Sequence, residues 1–336
     1  MAYSDIHLPL PGFIALDWTL MAFALLPILI RISLRARSRT LHSPATNVSD
    51  TFIVLSWLSG CVLICINTWK NTTRMQYLSS PPQTLYYGVP PSQSGHLLYV
   101  SWISLFFIYI SLWSAKAAFL AFYYSIFSLQ GRRIRLALLV ACVFTFFTFL
   151  LHMGLIAFWC TPVSANWSPP PGKPLCSAVH SINSVTISTI ANITTDIVIL
   201  SIPMHALWTR ASKFGGTERA GLLFVFAMGG VSILAALVRF VCLKLVQGVP
   251  KASITHTIDV WALVEIVSSI LAVCAPSCRA FVRMWGRREQ RHGRLGSEEA
   301  VVAEGRCDVD GSTTESRGDK LEHVGLRIEQ LVAEGK

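Results

Sequence analysis

The chain has 336 residues, of which 53% are hydrophobic and only 14% are charged. A soluble domain contains about 25% charged residues, so this composition excludes an ordinary soluble protein and predicts a membrane protein. The formal net charge of +10 does not indicate a nucleic-acid partner. The basic residues lie mostly in short links between apolar segments, and no nucleic-acid-binding motif is visible.

Seven apolar segments follow one another along the chain. A spanning helix needs about 20 residues, so the second segment is barely long enough and the others suffice. Backbone groups find no water in lipid, so each segment is expected to be helical. The predicted fold is all-α, with a short N-terminal stretch at 1–11 and a seven-helix membrane domain at 12–285. The segments are residues 12–34, 51–69, 97–127, 134–159, 178–208, 220–246 and 257–284.

Basic residues in the short links predict the orientation of the bundle. They cluster at 31–39, 132–135 and 210–219 and again from residue 283 onward. With seven spans, this bias places the N-terminus outside and the C-terminus in the cytosol. The first segment lacks a basic n-region and a small-residue cleavage site, so it is expected to be a retained helix. The sequence thus predicts a multi-pass protein in the lipid bilayer of the plasma membrane or an endomembrane.

The two larger outer loops carry candidate modification sites. The loop at 70–95 contains Asn71-Thr-Thr followed by proline, glycine and serine, so Asn71 is a predicted glycan site. Asn166-Trp-Ser in the next outer loop gives a second predicted site, closer to the membrane. Cys160 and Cys176 flank that loop, and in an oxidising compartment they are expected to form a disulfide.

Charged residues inside the apolar segments are costly unless they face the bundle interior or find partners. Lys116 and Asp196 each lie roughly 18 residues into helices that enter from the outer side, roughly 27 Å deep at 1.5 Å per residue. Both belong to the inner half and could form an ion pair. Arg239 and Glu265 form a second candidate pair in the outer half. The other acids on the outer side are Asp17 and Asp259.

These charges predict two polar layers, one inner and one outer. Buried ion pairs can serve helix register alone, whereas intramembrane ionisable groups also mark functional sites. Both interpretations remain open, and nearby aromatic residues favour a polar-lined pocket that binds or transforms a small molecule. The predicted pocket residues are Lys116, Asp196, Arg239, Asp259, Glu265, Tyr109, Trp113 and Trp261.

Asp50 begins the second helix just after the arginine cluster of the first link. An acid at a helix N-terminus is favourable by itself, by about 0.3–1 kcal/mol. A salt bridge to Arg31 or Arg35 would add to this stabilisation. We interpret the group as architectural.

The segment at 286–336 is polar and charged, and we expect it to be a mostly disordered cytosolic tail. Within it, apolar residues recur at helical spacing over 320–334, which predicts a short amphipathic helix. That helix could lie on the inner leaflet or dock on a cytosolic partner.

One set of residues, in its order and spacing, resembles the fungal rhodopsin-like domain family of seven-helix proteins. This family includes the membrane protein of satratoxin gene clusters and receptor-like pathogenicity proteins, and the resemblance covers about residues 12–287. The chain departs from the family by having Ser49-Asp50 where two acids are usual. Receptor-like members often carry a cysteine-rich extracellular domain, whereas here barely a dozen residues precede the first predicted helix. The residues that carry the resemblance are Arg31, Arg35, Asp50, Lys116, Tyr123, Cys160, Pro162, Trp167, Cys176, Asn192, Asp196, Pro203, Arg239, Trp261, Glu265 and Pro276.

The resemblance implies a protein that handles a lipophilic intermediate in secondary-metabolite biosynthesis, for example as a cyclase or isomerase. Asp196 or Glu265 could then protonate an alkene or epoxide, provided that Lys116 and Arg239 leave at least one acid unpaired. The alternative is a cell-surface receptor for a small molecule or surface cue, against which the short N-terminus and short cytosolic loops count. Whether the protein is an enzyme stays open.

Several other classes are not supported. The family name suggests retinal, but a retinal Schiff base needs a lysine in the last helix and residues 257–284 contain none. Cys61 and Cys65 lie one helical turn apart without a nearby histidine or acid, so packing is expected and no metal site is predicted. The sequence has no visible internal repeat of the kind that many transporters contain, so a transporter has little support. It also has no soluble-enzyme motif.

Overall fold

A computed structural model describes residues 9–37, 44–81, 84–86, 88–127, 131–168, 176, 178, 181–210, 216–245 and 259–278. All regular secondary structure in these residues is helical, apart from one isolated bridge between Tyr86 and Val89. The predicted tail at 286–336 and its amphipathic helix at 320–334 lie outside the described residues. The seven long helices are α1 Leu10–Arg37, α2 Pro44–Met75, α3 Pro91–Phe127, α4 Arg132–Phe158, α5 Ile182–Arg210, α6 Gly216–Leu245 and α7 Asp259–Cys278.

All seven helices are long and apolar enough to cross a membrane. The predicted all-α, seven-helix architecture of a multi-pass membrane protein is therefore confirmed. Which end faces the cytosol stays a prediction from the basic links, and we call the end where α1 finishes and α2 begins the predicted cytosolic end.

The second helix is much longer than its apolar segment. It begins at Pro44, a residue well suited to a first helical position, and continues to Met75. The prediction that a loop begins at residue 70 is wrong, because the last turns of α2 bury Lys70, Asn71 and Arg74 inside the protein. Hydropathy marks only the lipid-facing part of a helix and misses polar turns that pack inward.

Helices α3 and α7 form the buried centre of the bundle. In their most apolar windows 61% and 67% of residues are buried, compared with 22% in α4, so α4 is largely a lipid-facing helix. Serines allow α2 to approach α3 closely, as small residues do between membrane helices. Ser56 Oγ donates to the Ser111 carbonyl at 2.8 Å, and Ser111 Oγ donates to the Ser56 carbonyl at 2.7 Å.

The predicted outer end carries a covalent and aromatic cap. Cys160, just after α4, forms a disulfide with Cys176, with a Cα–Cα distance of 5.9 Å. A short 3-10 helix at Val163–Asn166 follows the first cysteine. Trp167 then packs against Tyr99 and Trp102 of α3, with ring centroids at 4.9 and 5.4 Å. The ring contacts of Trp167 thus hold the described residues that follow α4 against α3.

Candidate functional site

Lys116 of α3 is the centre of a buried polar network. Its Nζ lies 2.8 Å from Asp196 Oδ1 and donates to the backbone carbonyl and the Oδ1 of Asn192, both at 2.9 Å. It also donates to Thr195 Oγ1 at 2.6 Å and lies 4.8 Å from the centroid of the Trp113 ring. An ammonium group has three hydrogen-bond donors, and these oxygens provide an acceptor for each of them. Lys116 is the lysine that the sequence analysis placed in the inner half of the membrane.

Asn192 joins this ion pair to the second one. Its Nδ2 donates to Glu265 Oε1, and Arg239 Nη2 lies 3.4 Å from Glu265 Oε2. The structure therefore brings together both predicted pairs, but as one charge-balanced network across α3, α5, α6 and α7. The prediction of an inner and an outer polar layer assigned these two pairs to different layers, and the Asn192 amide joins them. That prediction counted residues along each helix and took no account of neutral amides.

A separate cluster lies toward the predicted outer end. Lys70 Nζ of α2 lies 2.8 Å from Asp259 Oδ2 at the start of α7, and Asn67 Nδ2 donates to Asp17 Oδ2 at 3.5 Å. Sequence reasoning missed Lys70, because it assigned that residue to a loop. The sequence analysis assigned no cation to Asp259, and this could have pointed to Lys70. A buried acid at the start of α7 needs a cation at the same depth.

A third cluster ties α1 to α2 and α7 at the predicted cytosolic end. Arg31 donates from Nε to Asp50 Oδ1 at 2.7 Å, from Nη1 to the Val273 carbonyl at 2.8 Å and from Nη2 to Ser49 Oγ at 2.9 Å. Arg35 forms an ion pair with the other oxygen of Asp50. The structure thus contains both salt bridges considered for Asp50, and the contacts of Arg31 reach a third helix.

Aromatic side chains border the network on the side of α4. Trp113 donates from Nε1 to the Thr145 carbonyl at 2.9 Å, and the Tyr109 hydroxyl lies 2.6 Å from Ser188 Oγ. The ring centroid of His152 lies 4.2 Å from the ring centroid of Trp113 and 4.7 Å from that of Tyr109. These groups therefore join α3 to α4 and α5.

Trp261, the last predicted pocket residue, lies in the first turn of α7. Its side chain is half-buried, and within the described residues it makes no hydrogen bond to the network.

The void beside the network is small. It has a volume of about 20 Å³ next to Lys116, Asp196, Ser232 and Ser269, which is room for about one water molecule. Among the described residues, this void is too small for an organic molecule, and the polar-lined pocket around these charges stays a prediction. The charged side chains fill the space between the helices by contacting one another.

A much larger cavity lies on the other side of Trp113, and we call it the α2–α3–α4 groove. Its volume is about 500 Å³. Small side chains at Ser114, Ala117 and Ala121, on one face of α3, form the floor and leave the space between α2 and α4 open. The lining residues are Val48, Phe52, Leu55, Ile110, Trp113, Ser114, Ala117, Leu120, Ala121, Cys142, Thr145, Phe146 and Phe149.

A second apolar depression of about 510 Å³ runs along α2 between Leu58 and Trp69. It is more open than the groove, and only Val100 of α3 contributes to its lining. None of its lining residues contacts Lys116, whereas Trp113 lines the α2–α3–α4 groove and the centroid of its ring lies 4.8 Å from Lys116 Nζ. We therefore take the α2–α3–α4 groove as the candidate binding site.

Both predicted glycan sites are buried. Asn71 is 4% exposed and Asn166 is 2% exposed, and Asn166 Nδ2 donates to the Val163 carbonyl at 3.0 Å. A glycan is attached through this same nitrogen, so the geometry argues against modification of either side chain. The sequence motif gave no information on burial.

We therefore expect peptide-N-glycosidase treatment to leave the electrophoretic mobility of the membrane-extracted protein unchanged. Asn71→Gln and Asn166→Gln variants serve as matched controls. A mobility shift in the wild type that either substitution abolishes would contradict the buried position of that asparagine.

Comparison with known proteins agrees with this architecture. The sequence profile of the fungal rhodopsin domain matches residues 34–284, which is more than half of the chain. No curated protein and no solved structure matches the chain significantly. In the described residues, no group of three or more histidine, cysteine, aspartate or glutamate side chains is placed to hold a metal ion. The matched region includes α2 to α7 and the whole polar network, and the chain belongs to the fungal rhodopsin domain family.

Proposed function

We propose that the protein binds a lipophilic small molecule in the α2–α3–α4 groove and handles it as an intermediate of a secondary-metabolite pathway. The observation that carries this proposal is the groove itself. Its volume of about 500 Å³ lies in the range of small-molecule sites, about 300–1,000 Å³. Its walls are almost entirely apolar, so a lipophilic molecule could enter from the bilayer without losing hydrogen bonds to water.

Trp113 supports a specific site rather than a simple gap between helices. Its indole lines the groove, and the same ring contacts Lys116 and His152. The ring is held by its hydrogen bond to the Thr145 carbonyl. An occupant that displaces the indole would therefore disturb the environment of the Lys116–Asp196 ion pair.

The contacts of the two candidate catalytic acids favour handling over proton-transfer chemistry. Asp196 is paired with Lys116, and Glu265 is paired with Arg239 and also accepts a hydrogen bond from Asn192. A nearby cation stabilises the ionised form of an acid and so opposes its use as a proton donor. Neither acid lines the groove. The proposed role therefore needs no acid catalyst among these residues.

The decisive experiment is an untargeted metabolite comparison of a gene knockout complemented with groove variants. Ala117→Phe is expected to fill the groove floor and to accumulate the same lipophilic precursor as the knockout. Ala22→Phe is the matched control, because Ala22 is an exposed alanine of α1 that lies outside the groove. It is expected to restore the wild-type profile.

Full complementation by a normally expressed Ala117→Phe variant would contradict the groove as the site. Purified wild-type protein that carries only bulk phospholipid in this groove would contradict a dedicated small-molecule ligand. In either case the family assignment would stand.

A receptor is the second candidate function. It is favoured by the cross-helix contacts of Arg31, which join α1 to Asp50 of α2 and to Val273 of α7 at the predicted cytosolic end. A ligand that moved α3 could change these contacts, because Ser49 Oγ donates to the Ala118 carbonyl at 2.8 Å. Unchanged metabolites together with a lost transcriptional response to an external cue would support this function over the first.

A further inference from the structure

Three exposed arginines lie within the first turn of α4. They are Arg132, Arg133 and Arg135, at the predicted cytosolic end of a helix that is largely lipid-facing. We propose that this group, the α4 arginine patch, binds the phosphate headgroups of anionic phospholipids. The proposal is independent of what the α2–α3–α4 groove binds.

The local charges at this helix start are unfavourable without an anion. A helix N-terminus carries a partial positive charge that favours acids, and each cation placed there opposes it. The first turn of α4 contains no acid. Arg132 and Arg133 add two adjacent cations to this turn. Bound phosphate would offset the positive charge of the helix start and of these two side chains.

Backbone donors at this position add to the attraction. The residue before the helix is Gly131, which has a φ of 134° and no side chain to accept a hydrogen bond from the first turn. The Arg135 N–H donates to the Gly131 carbonyl at 3.2 Å. The N–H groups of the three preceding residues have no partner within the helix, as in any helix start. They are donors of the kind that bind phosphate.

The described part of the chain does not neutralise the first two arginines. None of the ion pairs among the described residues involves Arg132 or Arg133. Arginine suits phosphate because its planar guanidinium can donate two parallel hydrogen bonds. The patch therefore has both the charge and the geometry for a phosphate ligand.

The residues that follow favour a lipid over a soluble phosphate. Leu136, Leu139 and Val140 are each about 60% exposed and come directly after the arginines on α4. An acyl chain can lie along these side chains while its headgroup stays at the helix start. A soluble phosphate compound would use only the arginines. The charged first turn therefore suits the headgroup of a phospholipid, and the apolar face that follows it suits an acyl chain.

The test compares lipid retention by the full chain in nanodiscs that contain phosphatidylcholine with or without phosphatidylserine, measured by native mass spectrometry. The wild type is expected to retain phosphatidylserine selectively. The Arg132→Gln/Arg133→Gln double variant is expected to lose about thirtyfold in that retention, at about 1 kcal/mol per arginine. Arg132→Lys/Arg133→Lys should keep most of the charge effect and lose the bidentate contribution.

Lys244→Gln is the matched control, because Lys244 is an exposed cation in the last turn of α6, at the other end of the bundle. Its retention of phosphatidylserine should equal that of the wild type. An equal loss in this control would show nonspecific attraction and overturn the proposal. So would full retention by the glutamine double variant, or displacement of the lipid by millimolar inorganic phosphate. An unchanged gel-filtration profile checks that each variant is folded.

Discussion

Replacing Lys116 by methionine is expected to lower the free energy of unfolding by about 3–5 kcal/mol, the usual cost of removing one partner from a buried ion pair. Methionine keeps much of the side-chain volume and removes the charge. Asp196 then loses its cation, and Asn192 and Thr195 lose the ammonium donor. The loss is large because Lys116 and Asp196 are largely buried, and the void beside them, about 20 Å³, has room for about one water molecule.

A double-mutant cycle gives the control for this prediction. Asp196→Asn alone leaves the lysine charge without its acid, whereas the Lys116→Met/Asp196→Asn double variant has neither charge. We expect the double variant to be less destabilised than the sum of the two single variants. Thermal denaturation in detergent, followed by fluorescence-detected gel filtration, measures the changes in Tm. A Lys116→Met variant as stable as the wild type would show that Asp196 and its neighbours do not depend on this cation.

The seven helices were predictable because lipid imposes a simple rule on the sequence. An apolar segment of sufficient length must be a helix, since its backbone has no water to bond. The ends were less predictable. The last turns of α2, with Lys70 and Arg74, are polar and yet helical and packed inward. Their environment depends on other helices, and a local hydropathy pattern does not contain that information.

The ion pairs were predictable because the depth of each charged residue in the membrane can be calculated from its position along the helix. Constant helical rise places Lys116 level with Asp196, and Arg239 level with Glu265, once the direction of each helix is known. The link through Asn192 was not predictable in this way, because an amide gives no charge signal. Lys70 was missed for a different reason, because the sequence analysis ended the second helix at residue 69 and the helix continues to Met75.

The α2–α3–α4 groove could not be predicted from the sequence. Small residues such as Ala117 and Ala121 are common in membrane helices, where they usually allow two helices to touch. Here they face the space between α2 and α4, which stay apart at this level and leave a cavity of about 500 Å³. A cavity depends on the relative positions of three helices, and the spacing of small residues along one of them does not determine those positions.

Substitution of Arg31 by methionine is expected to destabilise the protein far more than the same substitution of Arg35. The two arginines share Asp50 as a partner, so they form a matched pair that differs in burial and in connections. Arg31 is 2% exposed and also holds the Val273 carbonyl of α7 and Ser49 of α2. Arg35 is 9% exposed, and it also donates to Thr46 and Asn47 in the first turn of α2.

Loss of Arg31 removes charged hydrogen bonds to the buried Val273 carbonyl and the buried Ser49 hydroxyl, and a hydrogen bond to a charged group contributes about 1.5–3 kcal/mol. It also removes a hydrogen bond between α1 and α7, which are far apart in the sequence. Loss of Arg35 leaves Asp50 paired with Arg31 and removes the hydrogen bonds of Arg35 to Thr46 and Asn47 of α2. We therefore expect a decrease of several degrees more in the Tm of Arg31→Met than in that of Arg35→Met. Equal decreases would mean that Asp50 alone accounts for the stabilisation, and that the contact of Arg31 with α7 contributes nothing measurable.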